Sequence, residues 1–306
     1  MKKNNRPNIS WGKDFSDNKY IYCMLFPILA WYIIFHYVPM GGSVIAFQDY
    51  NPAKGFLKSN WVGFENFLDF FKGPYAWRLI KNTLLINIYQ IVFGFPAPII
   101  LALLINEVHV SSYKRVVQTI SYIPHFISSV VVCGLLVTFS RTDGLFNTLF
   151  NYGKESVNYL SDPSFFRTIY VSSDVWQGVG WGSIIYLASL SSIDPSLYEA
   201  AELDGCGRFG KIFHVTLPSL SPVIITLFIM RIGHLLAQGF EKIILLYNPL
   251  TYETADVLST YVYRRGLIQM DFSFGSAVDI FNSVINVLIL VLVNYCFKKK
   301  TEQSLW

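Results

Sequence analysis

Apolar residues run in six long blocks separated by polar stretches, at positions 21–47, 83–105, 120–140, 168–190, 219–240 and 277–297. Each block reaches the roughly 20 mainly apolar residues that carry a helix across a hydrocarbon core of about 30 Å. Period-two alternation is absent from them, which argues against a β-barrel. The pattern predicts an all-α, polytopic membrane helix bundle with six transmembrane helices. Gly and Pro inside the blocks, as in GFPAP at 94–98, fit this reading because neighbouring helices re-satisfy the freed backbone groups. The first block is longer than the apolar run of a cleaved signal and lacks a small-residue cleavage site, so it is expected to stay as an anchor.

Composition agrees with the pattern. The 306 residues are 53% hydrophobic, 17% aromatic and 14% charged, with a mean hydropathy of +0.40, outside the balance of a soluble domain. Lys2, Lys3, Arg6, Lys13 and Lys19 precede the first block, Lys114 and Arg115 fall in a tight turn between the second and third, and Lys298, Lys299 and Lys300 follow the sixth. An even number of spans places all of these on the cytoplasmic side. The other face carries Lys54, Lys58, Arg264 and Arg265, spread out and nearly matched by acids. The expected organisation is a cytoplasmic segment 1–20, a transmembrane domain 21–297 and a basic cytoplasmic tail 298–306, in a multi-pass membrane protein. Cys23, Cys133, Cys206 and Cys296 are too dispersed for a disulfide framework or a CxxC metal site. The net charge of +4 reflects the inside-positive bias and does not indicate nucleic-acid binding.

The loop after the fourth block carries helix punctuation. Asp194 is an N-cap, Pro195 a first helical residue, and Ile193 and Tyr198 are spaced for a hydrophobic staple. A short helix is expected from Pro195 to Asp204, a left-handed stop at Gly205, a second short helix from about Gly207 to Thr216, and entry into the fifth span at Pro218. Ala200 and Ala201 keep the first helix slim beside the carboxylates of Glu199 and Asp204, which suits docking to another protein as well as it suits a plain connector. Gly205, Gly207 and Gly210 spell GxGxxG, and 205–211 spells GxxxxGK. No strand precedes them, and Ile212 stands where a phosphate loop needs Ser or Thr, so nucleotide binding by this chain is not expected.

The stretch EAAELDGCGRFGKIFHVTLPSLSP at 199–222 resembles the EAA loop of the permease subunits of binding-protein-dependent ATP-binding cassette importers. Glu199, Ala200, Ala201, Asp204, Gly205, Leu217, Pro218, Leu220 and Pro222 match in register. Cys206 stands for the usual alanine and Ile212 for a common phenylalanine. The stretches at 25–52 and 61–67 (WVGFENF) are similar to the carbohydrate group of these permeases, especially its oligosaccharide and polysaccharide branch. The resemblance implies the type I importer permease fold and a coupling loop at 194–218. It implies that Glu199, Ala200, Ala201, Asp204, Gly205, Leu217 and Pro218 engage a separate ATPase that holds the ATP and Mg. It also implies a second six-helix permease, giving a heterodimer, together with two ATPase subunits, an extracellular solute-binding protein and a carbohydrate substrate.

Polar residues inside the blocks are costly and mark paths or pairings. Asp174, Gln177 and Trp181, then Arg231, His234 and Gln238, then Asp279, Asn282 and Asn286 each follow i, i+3, i+7 and so share one helix face. Asp174, His234 and Asn282 fall at about equal depth at 1.5 Å per residue, so the three faces are expected to form one belt suited to sugar hydroxyls and C–H faces. The competing reading is that Arg231 pairs with Asp174 or Asp279 and the amides hold helices together. Outside the blocks, Phe64, Phe67, Leu68 and Phe71 predict an amphipathic helix ending at Gly73 and Pro74. The loop 247–256 is a candidate for contact with a binding protein. A membrane-embedded enzyme would need a catalytic constellation, and neither HExxH nor GxSxG occurs; His36, His109, His125, His214 and His234 are scattered. No catalytic or metal-binding residues are expected. An ion-coupled carrier, or a permease for a non-sugar solute, remains an alternative.

Overall fold

The computed structural model describes residues 15–151, 155–233 and 239–301. Long helices dominate: α1 (Lys19–Phe47), α2 (Glu65–Lys72), α3 (Ala76–Asn106), α4 (Ser111–Phe126), α5 (Ser129–Ser140), α6 (Leu145–Phe150), α7 (Pro163–Leu190), α8 (Pro195–Leu203), α9 (Arg208–Gly233), α10 (Phe240–Leu246) and α11 (Phe272–Thr301). A two-residue antiparallel bridge, Gln48 opposite Trp61 and Asp49 opposite Asn60, is the one strand pairing among the described residues. It closes the loop between α1 and α2.

Four helices, α1, α3, α9 and α11, are long and apolar enough to cross a membrane, and the pair α4 and α5 makes five if counted as one bent span. Helix α7 spans 28 residues, about 42 Å at 1.5 Å per residue, but its polar face keeps it out of that set. The apolar block at 120–140, expected as one straight span, is broken instead: α4 and α5 meet at 94°. Pro124 sits in a tight 3-10 turn, Ile127 and Ser128 are extended, and the Ser128 hydroxyl accepts from the Val131 amide at 3.4 Å, starting a new helix. Lys114 and Arg115, expected in a tight turn, lie within α4.

The core is distributed along the bundle. Tyr170, Phe166 and Ile243 centre one buried cluster, Phe70, Leu79 and Phe274 a second, and Ala102, Tyr186 and Leu220 a third at the end of α7 nearest α8. Helix α7 packs against α3 and crosses α4 so closely that a Cβ on Gly180 would collide with the Ser121 carbonyl. Gly180→Ala is therefore expected to destabilise the protein by about 1–3 kcal/mol through overpacking, read as a lower unfolding midpoint in detergent. By contrast, no residue of α1 between Lys19 and Tyr32 is buried. The amphipathic α2 ends at Gly73 as expected, burying Phe70 and leaving Phe64, Leu68 and Phe71 exposed.

Candidate substrate path and coupling loop

The polar loop folds largely as its punctuation dictates. The Asp194 carboxylate accepts the Ser196 amide at 2.9 Å, and Pro195 opens α8. Gly205 has φ +77°. Around it the Gly205 amide bonds the Glu202 carbonyl at 3.0 Å and the Cys206 amide bonds the Ala201 carbonyl at 2.9 Å, the paired bonds that close a helix through a left-handed residue. Ile193 packs beside Leu190 and Leu220, while the Tyr198 hydroxyl lies 3.1 Å from Thr216 Oγ1. One expectation fails here. The second helix is not a separate unit that stops before Pro218, because α9 runs unbroken from Arg208 to Gly233. A wide π-turn at Ile212–Thr216 precedes Leu217 and Pro218 and spreads the turn where the proline lacks an amide and its ring crowds the backbone. The second half of the loop and the following span thus form one continuous helix.

Glu199, Ala200, Asp204, Gly205 and Pro218 are exposed, Leu217 is partly covered and Ala201 is buried. Leu203 and Phe209, which the spacing of polar residues did not flag, stand 90% and 77% exposed beside them. Lys211 pairs with Glu202 at 3.2 Å and ties α9 to α8. The backbone bond to Ser196 holds the Asp194 carboxyl below its ordinary value of 3.8. A depressed carboxyl contributes stability that is complete above the unfolded value and is lost as pH falls through the folded one. The start of α8 is therefore expected to stay protected from hydrogen exchange from pH 7 down to about 5, and to open only below the ordinary aspartate range. Asp194→Ala should open it at neutral pH.

The membrane-embedded polar residues gather differently from the expected belt. Gln90, at the start of a π-turn in α3, donates to Asp174 Oδ2 at 3.3 Å and to the Tyr170 hydroxyl at 3.2 Å, and accepts from Arg231 at 3.2 Å. Lys242, whose side chain is 8% exposed, lies 3.8 Å from Asp174. Arg231 thus reaches Asp174 through the Gln90 amide, and the direct partner of Asp174 is Lys242. Gln177 donates to the Ile127 carbonyl at 2.9 Å and accepts from Lys242 at 3.5 Å. It thereby satisfies a carbonyl that the break between α4 and α5 leaves free, which a bilayer interior requires.

These groups line a cavity of about 270 Å³ with Ser129, Gly239 and Glu241. A second cavity of about 250 Å³ shares Asp174 and Arg231 and is otherwise walled by Gly94, Pro98, Gly178, Gly182 and apolar side chains. Asp174 and Arg231 line both. The remaining belt residues lie elsewhere. Trp181 stacks on His125, with centroids 4.7 Å apart and planes within 2°. Asp279 and Asn282 line a separate cavity with Tyr263 and Leu258, and Asn286 is buried on the same helix. The expected single belt is therefore split, with Asp174 and Arg231 lining one pair of cavities and Asp279 and Asn282 another cavity. His234 and Gln238 lie outside the described residues. Gln90, Tyr170 and Lys242 escaped the sequence reading; an amide in an apolar block and a lysine before IILL were the available signals. In the loop 247–256, Asp256 faces inward and is fully buried.

A bundle of long apolar helices with a capped polar loop and polar cavities between its helices is the build of a membrane permease subunit. Residues 82–300 match the family described as the binding-protein-dependent transport system inner membrane component, and the chain belongs to that family. It is 43% identical to the protein LplB of Bacillus subtilis (strain 168), over 97% of this chain and 94% of that one. It is also 43% identical to the polygalacturonan/rhamnogalacturonan transport system permease protein YteP of the same organism, over 94% and 90%. Among solved structures, it superposes with a TM-score of 0.90 on a chain of the bacterial alginate ABC transporter in complex with an alginate pentasaccharide-bound periplasmic protein, at 43% identity over 96% of this chain and 99% of that one. The protein is a multi-pass inner-membrane permease subunit of an ATP-binding cassette importer, and it is not itself an enzyme.

Proposed function

We infer that this chain forms half of the translocation path for an oligosaccharide or polysaccharide fragment. It crosses the membrane six times in the type I arrangement, with α7 and the bent α4 and α5 pair completing the set and both termini in the cytoplasm. A second, related six-helix permease completes the path, two ATPase subunits dock on the α8 loops, and an extracellular binding protein delivers the sugar. The polysaccharide systems among its relatives support this substrate class.

The observation that carries the path is the shared lining. Asp174 and Arg231 line two cavities along the same helices, which supports reading the polar bridge of Gln90, Asp174, Arg231 and Lys242 as part of the path. Its hydrogen-bonding groups match sugar hydroxyls. Glu199, Ala200, Asp204 and Gly205 offer the ATPase a slim exposed knob, flanked by Leu203 and Phe209 for burial on docking. Leu217 and Pro218 lie within α9, the helix that carries its movement into the membrane.

Arg231→Ala in the assembled transporter is expected to reduce saccharide uptake about tenfold, the scale of one lost charge-assisted contact, with the amount of assembled complex unchanged. Undiminished uptake at normal assembly would refute the path.

A further inference from the structure

A concavity of about 900 Å³ lies between the start of α3 and residues 249–271. Its wall brings together Tyr75, Arg78, Glu253, Arg264, Arg265 and Gln269. The three guanidiniums are not equally engaged. Arg264 takes both oxygens of the buried Asp256, at 2.7 and 3.3 Å. Arg265 is held by Asp271 at 3.0 Å. Arg78 reaches Asp256 only at 3.5 Å, on an oxygen already bonded to Arg264, and its buried Nε has no hydrogen-bond partner. Its guanidinium lies 4.7 Å from the centre of the Tyr75 ring, which fixes the fork in place.

Counting Asp256, three carboxylates balance three guanidiniums at this site, so the bowl has no large net field. What it has is one pre-positioned, partly exposed guanidinium held by a single long contact to Asp256, with its outer nitrogens rather than its buried Nε available to the bowl, beside a tyrosine face and an exposed amide. A planar fork of donors recognises a carboxylate in bidentate fashion, an aromatic face covers the C–H side of a pyranose, and Gln269 can bond its hydroxyls.

We propose that this bowl is an entry subsite that holds the carboxylate of an acidic sugar unit on Arg78 before the saccharide reaches the membrane cavities. It rests on the saccharide reading above and adds the charge of the substrate and the residue that reads it.

The test uses the assembled transporter in detergent without its binding protein, titrated by saturation-transfer NMR with trigalacturonate and with its fully methyl-esterified, neutral counterpart. Trigalacturonate is expected to bind and the ester to bind at least about tenfold more weakly, the scale of a charge-assisted bidentate pair. Arg78→Gln should remove that difference, and Arg78→Lys should restore part of it. Because Arg78 also touches Asp256, the exposed Gln269→Glu serves as a second variant: it keeps an acceptor for the hydroxyls, adds a like charge beside the bound carboxylate and should weaken the acid form far more than the ester. Equal binding of acid and ester, no binding of either, or equal losses for both in Gln269→Glu would overturn the proposal. So would a selective effect of these variants on capture of the sugar-free binding protein, which would mark the bowl as a protein-docking surface. Saccharide uptake by the unmutated complex reports on the transport reading separately, since it survives failure of the subsite.

Discussion

Gly205→Val is expected to nearly abolish ATP-driven uptake while leaving the membrane bundle assembled. The argument is confined to the backbone. Gly205 sits at φ +77°, and a Cβ placed there would meet nothing within 4 Å, so no side-chain clash contributes. An L-residue held in the left-handed region costs roughly 1–2 kcal/mol, and a β-branched one lies at the upper end or beyond. A shift of that size changes a population by about 5- to 30-fold. The strained loop relieves itself by giving up the bonds from Gly205 to Glu202 and from Cys206 to Ala201, which swings Glu199 and Ala200 away from their present bearing on α9. On the proposed coupling role, a helix that has lost its bearing transmits no movement. Uptake is expected to fall about thirtyfold for valine and only a few-fold for Gly205→Asn, because asparagine tolerates the left-handed region. ATP hydrolysis and uptake measured together in proteoliposomes would check this; uptake within twofold of normal for the valine variant would remove the turn from the coupling path.

The contrast between this loop and the membrane cavities explains how far the amino-acid sequence could be read. Asp194, Pro195 and Gly205 act on neighbours within a few residues, so their consequences follow from spacing alone, and α8 forms where they predict. The break before Ser128 was equally local, signalled by Pro124 and a serine N-cap, but it was hidden by the unbroken hydrophobicity around it. Pro218 misled in the opposite direction: a π-turn upstream absorbs it, and the helix continues. The cavity is a different case. Periodicity groups Asp174 with Gln177 on one face, yet it says nothing about how α7 and α11 are rotated against each other. Asp279 and Asn282 therefore share a stripe pattern with Asp174 and end up in another cavity, while Gln90 and Lys242, single polar residues with no stripe, complete the cluster. Cross-helix pairing needs azimuth, and azimuth comes from packing contacts such as the close approach of Gly180 to Ser121.

The same logic makes Asp256 the position where one substitution should do most damage to stability. Its carboxylate is fully buried and accepts from Arg264 at 2.7 and 3.3 Å, from Thr260 at 2.9 Å and, weakly, from Arg78. Its carbonyl accepts from Asn82, which in turn receives Arg167 at 2.8 Å. Burial works against the charge on Arg264, but hydrogen bonding and attraction from Asp256 keep that guanidinium above the ordinary arginine value. Removing the acid strands Arg264 between the rings of Tyr252 and Tyr261. Breaking a buried pair from one side costs about 3–5 kcal/mol; the Arg264 and Arg78 side chains remain 22% and 32% exposed, which favours the lower end. Asp256→Ala is thus expected to lose about 3 kcal/mol, a large share of the stability of any single domain, and to appear as a collapse of the monodisperse peak on mild heating in detergent. Asp256→Asn should fall between, since it keeps the Thr260 bond and loses the charge. Adding Arg264→Leu to the alanine variant should recover part of the loss, because the stranded charge, rather than the missing attraction, carries most of the penalty. An alanine variant as heat-stable as the unmutated protein would show that water reaches Arg264 freely and that the pair contributes nothing measurable.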